Sequence, residues 1–383
     1  MSAWDKLGSP AAQRLAAQMT SDAVAHAWIL LGPRGAGKRQ AALAMAAAMN
    51  CPAEPRKGCG DCSTCMRIWR ARHPDVRHIV PEGPLIPVDV IRDQIIPEAA
   101  RSPFESPHKV FILEEAERMN PAAQNALLKT LEEPQPDTVF VLIAEQEEEL
   151  LETIRSRCRT FRLDAVPEER VVQVLVQEGV TEDIALLAAR ASGGDVDRAR
   201  ALASGDAAAQ RRAVWLSVPR KLSFPVAALD AAQEILEEVR LGMADLQAAH
   251  KQEVIDLAEA MGEGRGTAAA RNALAKRHKR ELRRLEEELI GEALDTIASF
   301  YRDVLALRRG AAEAVTSLDR MEEISRWAAS SVSDAALLEA ADRCIRARAD
   351  LPLNANQQLL VESVLLEIAR LCPAESAVGA RVG

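Results

Sequence analysis

The sequence predicts an α/β protein: a parallel-sheet core built around a phosphate loop, followed by helical regions. Two observations carry that expectation. An apolar run, Trp28 to Leu31, stops at Gly32, a Gly-rich loop leads to Lys38, and an Ala- and Met-rich helical pattern follows from Ala41 to Met49. Two further apolar runs, Lys109–Leu113 and Thr138–Ala144, read as buried strands among helical patterns. The chain is 48% hydrophobic but only 3% aromatic, with Ala and Leu conspicuous, which favours helices elsewhere.

At 383 residues the chain is long enough for two or three domains, each with its own core. No apolar run approaches a membrane span and Met1 to Leu7 is no signal sequence, so the expected location is the cytoplasm, with no membrane partner. A net charge of −9 argues against a free-standing DNA binder, although not against contact with DNA through partners. Seven cysteines in a reducing compartment are not expected to form disulfides.

The loop reads Gly32, Pro33, Arg34, Gly35, Ala36, Gly37, Lys38, Arg39. Its glycines let backbone N–H groups turn around an anion, the helix N-terminus adds partial positive charge, and Lys38 reaches the terminal phosphates. A Ser or Thr should follow the lysine to ligate magnesium. Arg39 stands there instead and has no oxygen to offer a metal. The loop therefore looks built to hold phosphate without the usual metal site; a Gly-rich turn without a ligand is the plain alternative.

Ahead of the loop, Ala11 to Met19 predicts a helix with Leu15 and Met19 on one face. Behind it stand Cys51, Cys59, Cys62 and Cys65, three of them in two tight turns. Four thiolates suit structural zinc, with no open position for a substrate. An iron–sulfur cluster is the rival, and free buried cysteines the bland reading. His73 to Pro87 reads as loop and short strand, and Val88 to Arg101 as a helix carrying Val90, Ile91, Ile95 and Ile96. The strand from Lys109 ends in Glu114 and Glu115, where a Walker B pair would hold magnesium and polarise water. An acidic helix start is the alternative. Asn120 caps the next helix, with Pro121 in its first turn and Leu127, Leu128 and Leu131 on its core face. Leu150 to Arg162 then bunches Arg155, Ser156, Arg157 and Cys158.

The combination H-A-W-I-L-L-G-P-R-G-A-G-K, C-x-x-C-x-x-C, N-A-L-L-K-T-L-E-E-P and S-R-C resembles the clamp-loader branch of the AAA+ ATPases. It covers Ala11 to about Leu202 well and Leu353 to Leu371 more weakly; roughly Leu216 to Ala298 lies outside the common pattern. The resemblance implies a RecA-like core at 1–164, a helical lid at 165–212 and a helical collar at 213–372. It also implies that Arg157 is an arginine finger acting on a neighbour's ATP in trans. Glu114 and Glu115 become a degenerate Walker B pair, and Arg198 the arginine nearest in place to a γ-phosphate sensor. A solvated helix charge is an equal reading of Arg198. One branch of the family has a defective ATP site, and Arg39 agrees with it, as does Glu145, an acid near the place of a polar sensor.

The stretch from Leu216 to Leu307 has an acid-rich first arm, Ala231 to Met261, and a second arm, Arg271 to Phe300, that opens basic. Gly262, Gly264 and Gly266 separate them, which predicts an antiparallel helical hairpin inserted at 231–300. Leu282, Leu285 and Leu289 would face Val239, Met243 and Leu246, or neighbours of those. Contact of the basic stretch with DNA is the alternative to internal pairing. Beyond it, Leu359, Leu360, Val364, Leu365 and Ile368 form an apolar stripe, and 373–383 reads as a disordered tail.

The expected function is that of a subunit helping to load a sliding clamp on primed DNA during replication, without hydrolysing ATP itself. ATP or ADP would be held, if at all, without magnesium-dependent hydrolysis. Expected partners are other clamp-loader subunits of the tau/gamma and delta kinds in a heteropentamer, the clamp, and primer-template DNA through the assembly, at the nucleoid-associated replisome. The rival is an ATP-hydrolysing motor subunit of the tau/gamma type using Lys38, Glu114 and Glu115.

Overall fold

The computed structural model describes residues 3–4, 10–20, 24–222, 224–261, 265–353 and 356–374. They form two compact units, Met1–Arg170 with Gly194–Val196, and Val171–Gly193 with Asp197–Gly383.

The first unit is built on five parallel strands: β1 (Ala27–Leu31), β2 (Val76–Ile79), β3 (Lys109–Leu113), β4 (Thr138–Ala144) and β5 (Arg159–Arg162), in the order β2-β3-β4-β1-β5. Helices α1 (Pro10–Met19) and α2 (Lys38–Asn50) belong with the face that carries Trp28, Leu30, Val110, Ile112 and Val141. The opposite face, with Ile29, Leu31, Phe111, Leu113 and Phe140, packs on Leu127 and Leu131 of a later helix. Because both faces are covered, β1, β3 and β4 are buried throughout and, past Lys109 and Thr138 at the starts of β3 and β4, apolar rather than alternating. Parallel pairing such as Leu31↔Ala144 and Leu113↔Leu142 puts the carboxyl ends of these strands along one edge. In open α/β sheets ligands sit beyond that edge.

Short α3 (Ser63–Trp69) follows the cysteine loop. The segment expected to be one helix from Val88 to Arg101 is helical without a break over 88–99, but its middle, Val90–Ile95, winds as a π-helix before α4 (Ile96–Ala99). Pro97 has no N–H to continue an α ladder, and the Ile96 N–H reaches back to the Ile91 carbonyl instead. Asn120 does cap α5 (Pro121–Glu132), its side chain accepting from the Ala123 N–H at 2.8 Å. The stretch from Leu150 is only briefly helical, as α6 (Glu152–Arg155), before a turn into β5.

Helices α7 (Glu168–Gln177), α8 (Glu182–Ser192) and α9 (Val196–Ala203) follow, with Arg200 forked onto Glu178 at 2.7–3.1 Å. The second unit continues through α10 (Ala207–Lys221), α11 (Pro225–Gly242), α12 (Ala244–Met261), α13 (Arg265–Arg308), α14 (Met321–Ala328), α15 (Asp334–Asp350) and α16 (Gln357–Leu371). Phe300, Tyr301 and Trp327 meet edge to face at its centre, with centroids 5.6–5.9 Å apart. Arg308 fastens the corner between α14 and α15, donating to the carbonyls of Trp327, Ala328, Ser330 and Val332 and to Asp334. A cation there satisfies the orphan carbonyls at the end of α14.

The hairpin boundaries expected from sequence need correction. Ala231, Ala232, Ile235 and Val239 of the first arm, and Leu289, Ile290, Ile297 and Phe300 of the second, lie in the core of the second unit. What pairs outside that core is α12 with the first half of α13. The first arm also breaks, because α11 stops at Gly242, where a Cβ would stand 2.8 Å from Leu289 Cδ1. Leu289 shares the core cluster with Val239 and Met243, and Leu246 is half-buried. Gly262 and Gly264, and residues 375–383 of the tail, lie outside the described residues.

Candidate functional site

The phosphate loop leaves β1 at Gly32 and ends at Gly37, whose left-handed backbone (φ 77°) begins α2. Gly35 (φ +73°) is irreplaceable on space alone, since a Cβ there would stand 2.1 Å from the Asp195 Cα. The loop's cations are all engaged by the chain's own oxygens. Lys38 Nζ donates to the Gly32 carbonyl and, at 2.9 Å, to that of Pro33. Burial lowers its pKa, against the pull of Glu145 and Glu117. Arg34 Nε lies 2.7 Å from Glu145 Oε1.

Arg39, in the place of the magnesium-binding hydroxyl, has its Nε 3.2 Å from Glu114 Oε1. The same carboxylate is bonded by His78 Nε2 from the end of β2. Glu115, in a left-handed conformation (φ 49°), is paired with Arg118. Glu117 lies behind them; burial, partly offset by backbone donors and reinforced by Glu145 and Glu115, pushes it up to about 7. Magnesium does not fit this arrangement: the hydroxyl is missing, and guanidinium and imidazole groups occupy the acid.

The four cysteines expected to bind metal come together, with all four Sγ atoms within 4.8 Å of one another. Cys51 Sγ is 3.6 Å from that of Cys59 and 3.9 Å from that of Cys62. A tetrahedron with metal–sulfur bonds of about 2.3 Å has edges of about 3.8 Å. Backbone N–H groups of Glu54 and Cys59 point at Cys51 Sγ, that of Cys62 at Cys59 Sγ, and that of Cys65 at Cys62 Sγ. The N–H groups of Asp61 and Cys62 lower the Cys59 thiol to about 7, whereas burial pushes Cys65 up. The donor set fits a closed thiophilic metal site.

Arg157 sits in the turn between α6 and β5, not on a helix. Its guanidinium donates to the Thr153 carbonyl at 2.8 Å and meets Glu132 Oε1 at 2.5 Å, so the S-R-C and L-E-E-P motifs touch. Cys158 beside it is half-buried, and that desolvation pushes its thiol up to about 12. Arg198, on α9, is half-buried in the second unit and lines a cavity of about 440 Å³ with Arg190, Arg302 and Leu338.

Comparison with known proteins gives two family matches: "DNA polymerase III, delta subunit" over residues 8–167 and "DNA polymerase III, delta subunit, C terminal" over 274–370. Bacillus subtilis DNA polymerase III subunit delta' is 35% identical over 192 residues, covering 50% of this chain and 58% of that one. The Pseudomonas aeruginosa subunit delta' is 44% identical over 137 residues, 35% of this chain and 42% of that one. These matches make the chain similar to DNA polymerase III clamp-loader subunits, on the delta-prime side. A tau subunit, from Bacillus subtilis, matches at 34% over 180 residues but covers only 31% of that longer protein. The chain spans about half the length of the delta' relatives it matches.

Two participants in this site escaped the sequence reading. His78 reaches Glu114 because β2 pairs with β3 in parallel, His78 opposite Ile112. Glu117, one turn beyond the acid pair, reads as an ordinary solvated carboxylate until burial is known. The C-terminal family match also begins at residue 274, inside the stretch expected to fall outside the common pattern.

Proposed function

We propose that this chain is a delta-prime-type subunit of the bacterial clamp loader, helping to load the sliding clamp on primed DNA without turning over ATP itself. The observation that carries the reading is the Arg39–Glu114 pair: the magnesium seat of a P-loop ATPase is filled by the chain's own guanidinium. Nucleotide phosphate would meet Gly35, Gly37, Lys38 and the loop amides, without a metal-dependent step. Arg157 is the residue offered to a neighbour's ATP, held on Glu132 meanwhile. Cys51, Cys59, Cys62 and Cys65 hold a zinc ion, which supplies a structural cross-link between the end of α2 and α3. The partners are tau/gamma- and delta-type subunits, the clamp and, through the assembly, primer-template DNA.

The test is ATPase of the reconstituted assembly on primed DNA with clamp. The pure chain should show no magnesium-dependent turnover. Arg157→Ala should depress turnover at the neighbouring site by roughly 10³ or more, while the assembly stays intact by gel filtration. Arg157→Lys should recover little, because lysine lacks the planar fork. Turnover by the pure chain, lost in Lys38→Ala, would favour the motor-subunit reading.

A further inference from the structure

The outer half of the α12–α13 pair has two chemically distinct faces. Toward α12, α13 presents His278 and Glu281, three apart on one side of the helix. His278 stacks on His250 with ring centroids 3.8 Å apart and bonds Glu253 at 2.9 Å, and Glu281 meets His250 at 2.7 Å. Around the helix, at 100° per residue, Lys276, Lys279, Arg280 and Arg283 recur at the same spacing and are centred on the opposite side. All four are exposed.

Much of the basic charge on this helix, including part of the stripe, is consumed internally. Arg277 is paired with Glu253, Arg284 with Glu288 at 2.8 Å, and Arg283, at the end of the stripe, with Glu287 at 3.1 Å. Lys276 and Lys279 meet no acid among the described residues. Lys276 and Lys279 at least are therefore not the by-product of a salt-bridged helix surface, while Arg283 shares its charge with Glu287. Asn272 and Ala273 continue the same face N-terminal to the row, and at 100° per residue His278 and Leu282, the aromatic and aliphatic residues between its cations, fall off that face. A protein interface needs apolar or aromatic anchors at its centre, and single-stranded recognition needs aromatic stacking platforms. A cationic row without either is suited to a phosphate backbone.

We propose that the stripe Lys276–Lys279–Arg280–Arg283 on α13 is a direct, sequence-independent contact for the phosphate backbone of duplex DNA. The row spans about 10 Å along the helix axis, which brings about three phosphates of one strand within reach. The chain's net charge of −9 does not prevent this. At physiological salt a charge is screened beyond about 8 Å, so a phosphate at the stripe responds to Lys276, Lys279 and their near neighbours, Glu287 included, rather than to the net charge of the whole chain.

The test uses the full chain and a fluorescent 25-base-pair duplex, followed by anisotropy between 50 and 200 mM salt. About three phosphate contacts predict a slope of log K on log salt near −3. Lys276→Glu, Lys279→Glu and Arg280→Glu together should weaken binding at least tenfold at 50 mM salt and flatten the slope, with circular dichroism unchanged. The control carries the same charge change elsewhere, as Lys57→Glu, Arg326→Glu and Arg370→Glu, at exposed positions; it should retain most of the affinity. No binding by the unaltered chain, equal loss in both triple variants, or tighter binding to a single strand of the same length overturns the proposal. Unchanged DNA affinity after charge reversal does so too, and leaves an acidic protein surface as the occupant.

Discussion

Replacing Cys59 by serine should remove the metal and loosen the side of the first unit that it ties together. Cys51 ends α2 and Cys62 starts α3, so the site joins the two helix ends. The loop between them also holds the N-terminal segment, through Ala3 N–H to the Gly58 carbonyl at 2.8 Å. A ligand present at about a thousand times its dissociation constant stabilises the bound form by about 4 kcal/mol. For a domain of 150–250 residues, about 1 kcal/mol shifts Tm by about 2–4 °C, so losing zinc should lower the first unit's transition by roughly 8–16 °C. Elemental analysis should give one zinc per chain for the unaltered protein and a small fraction of that for Cys59→Ser. A thermal scan with and without a strong chelator should reproduce the shift in the unaltered protein and show none in the variant. Iron in place of zinc, or a chelated protein melting with the zinc-loaded one, would refute the reasoning.

Asp75 accepts from the N–H groups of Phe104, Glu105 and Ser106 at 2.6–3.0 Å, and these donors outweigh burial and hold its carboxyl below the usual aspartate value. Its stabilisation is therefore fully present above about pH 4 and fades as pH falls through the lower folded value. Asp75→Ala should cost about 3–5 kcal/mol in urea unfolding at pH 7, a cost that shrinks in acid. Arg308→Lys should destabilise the second unit by about 3 kcal/mol, read from its urea transition, because lysine cannot serve five partners at once. Replacing residues 246–285 with a short Gly-rich turn should leave zinc content and the second unit's cooperative melting intact. Cutting 231–300 should abolish that melting, since it removes core residues such as Ile235 and Phe300.

What could be read beforehand follows from how each signal is written. Strands buried on both faces announce themselves as unbroken apolar runs, so β1, β3 and β4 were legible. In β5 only Phe161 is buried, and Arg-Thr-Phe-Arg carries no such run. Four closely spaced thiols specify their own cluster. Arg39 was legible as a missing hydroxyl, but its pairing with Glu114 depends on strand order, which no local pattern encodes. The hairpin boundary was misjudged because Ala228, Ala231 and Ala232, although fully or almost fully buried, look neutral in sequence. Nor does charge pattern reveal where a helix leaves solvent and enters a core.

Helix α13 runs 44 residues without a break, about 66 Å at 1.5 Å per residue. Its first half carries the cationic stripe, and its second half supplies Leu289, Ile297, Phe300 and Tyr301 to the centre of the second unit. No proline interrupts the rod, and Gly291 near its middle is flanked by Arg348, so the weakest joint is braced from outside. A load borne at Lys279 is therefore not dissipated in a hinge. It reaches Phe300 and Tyr301 as a tilt of one stiff beam, so the grip at one end and the packing at the other move as a single mechanical part.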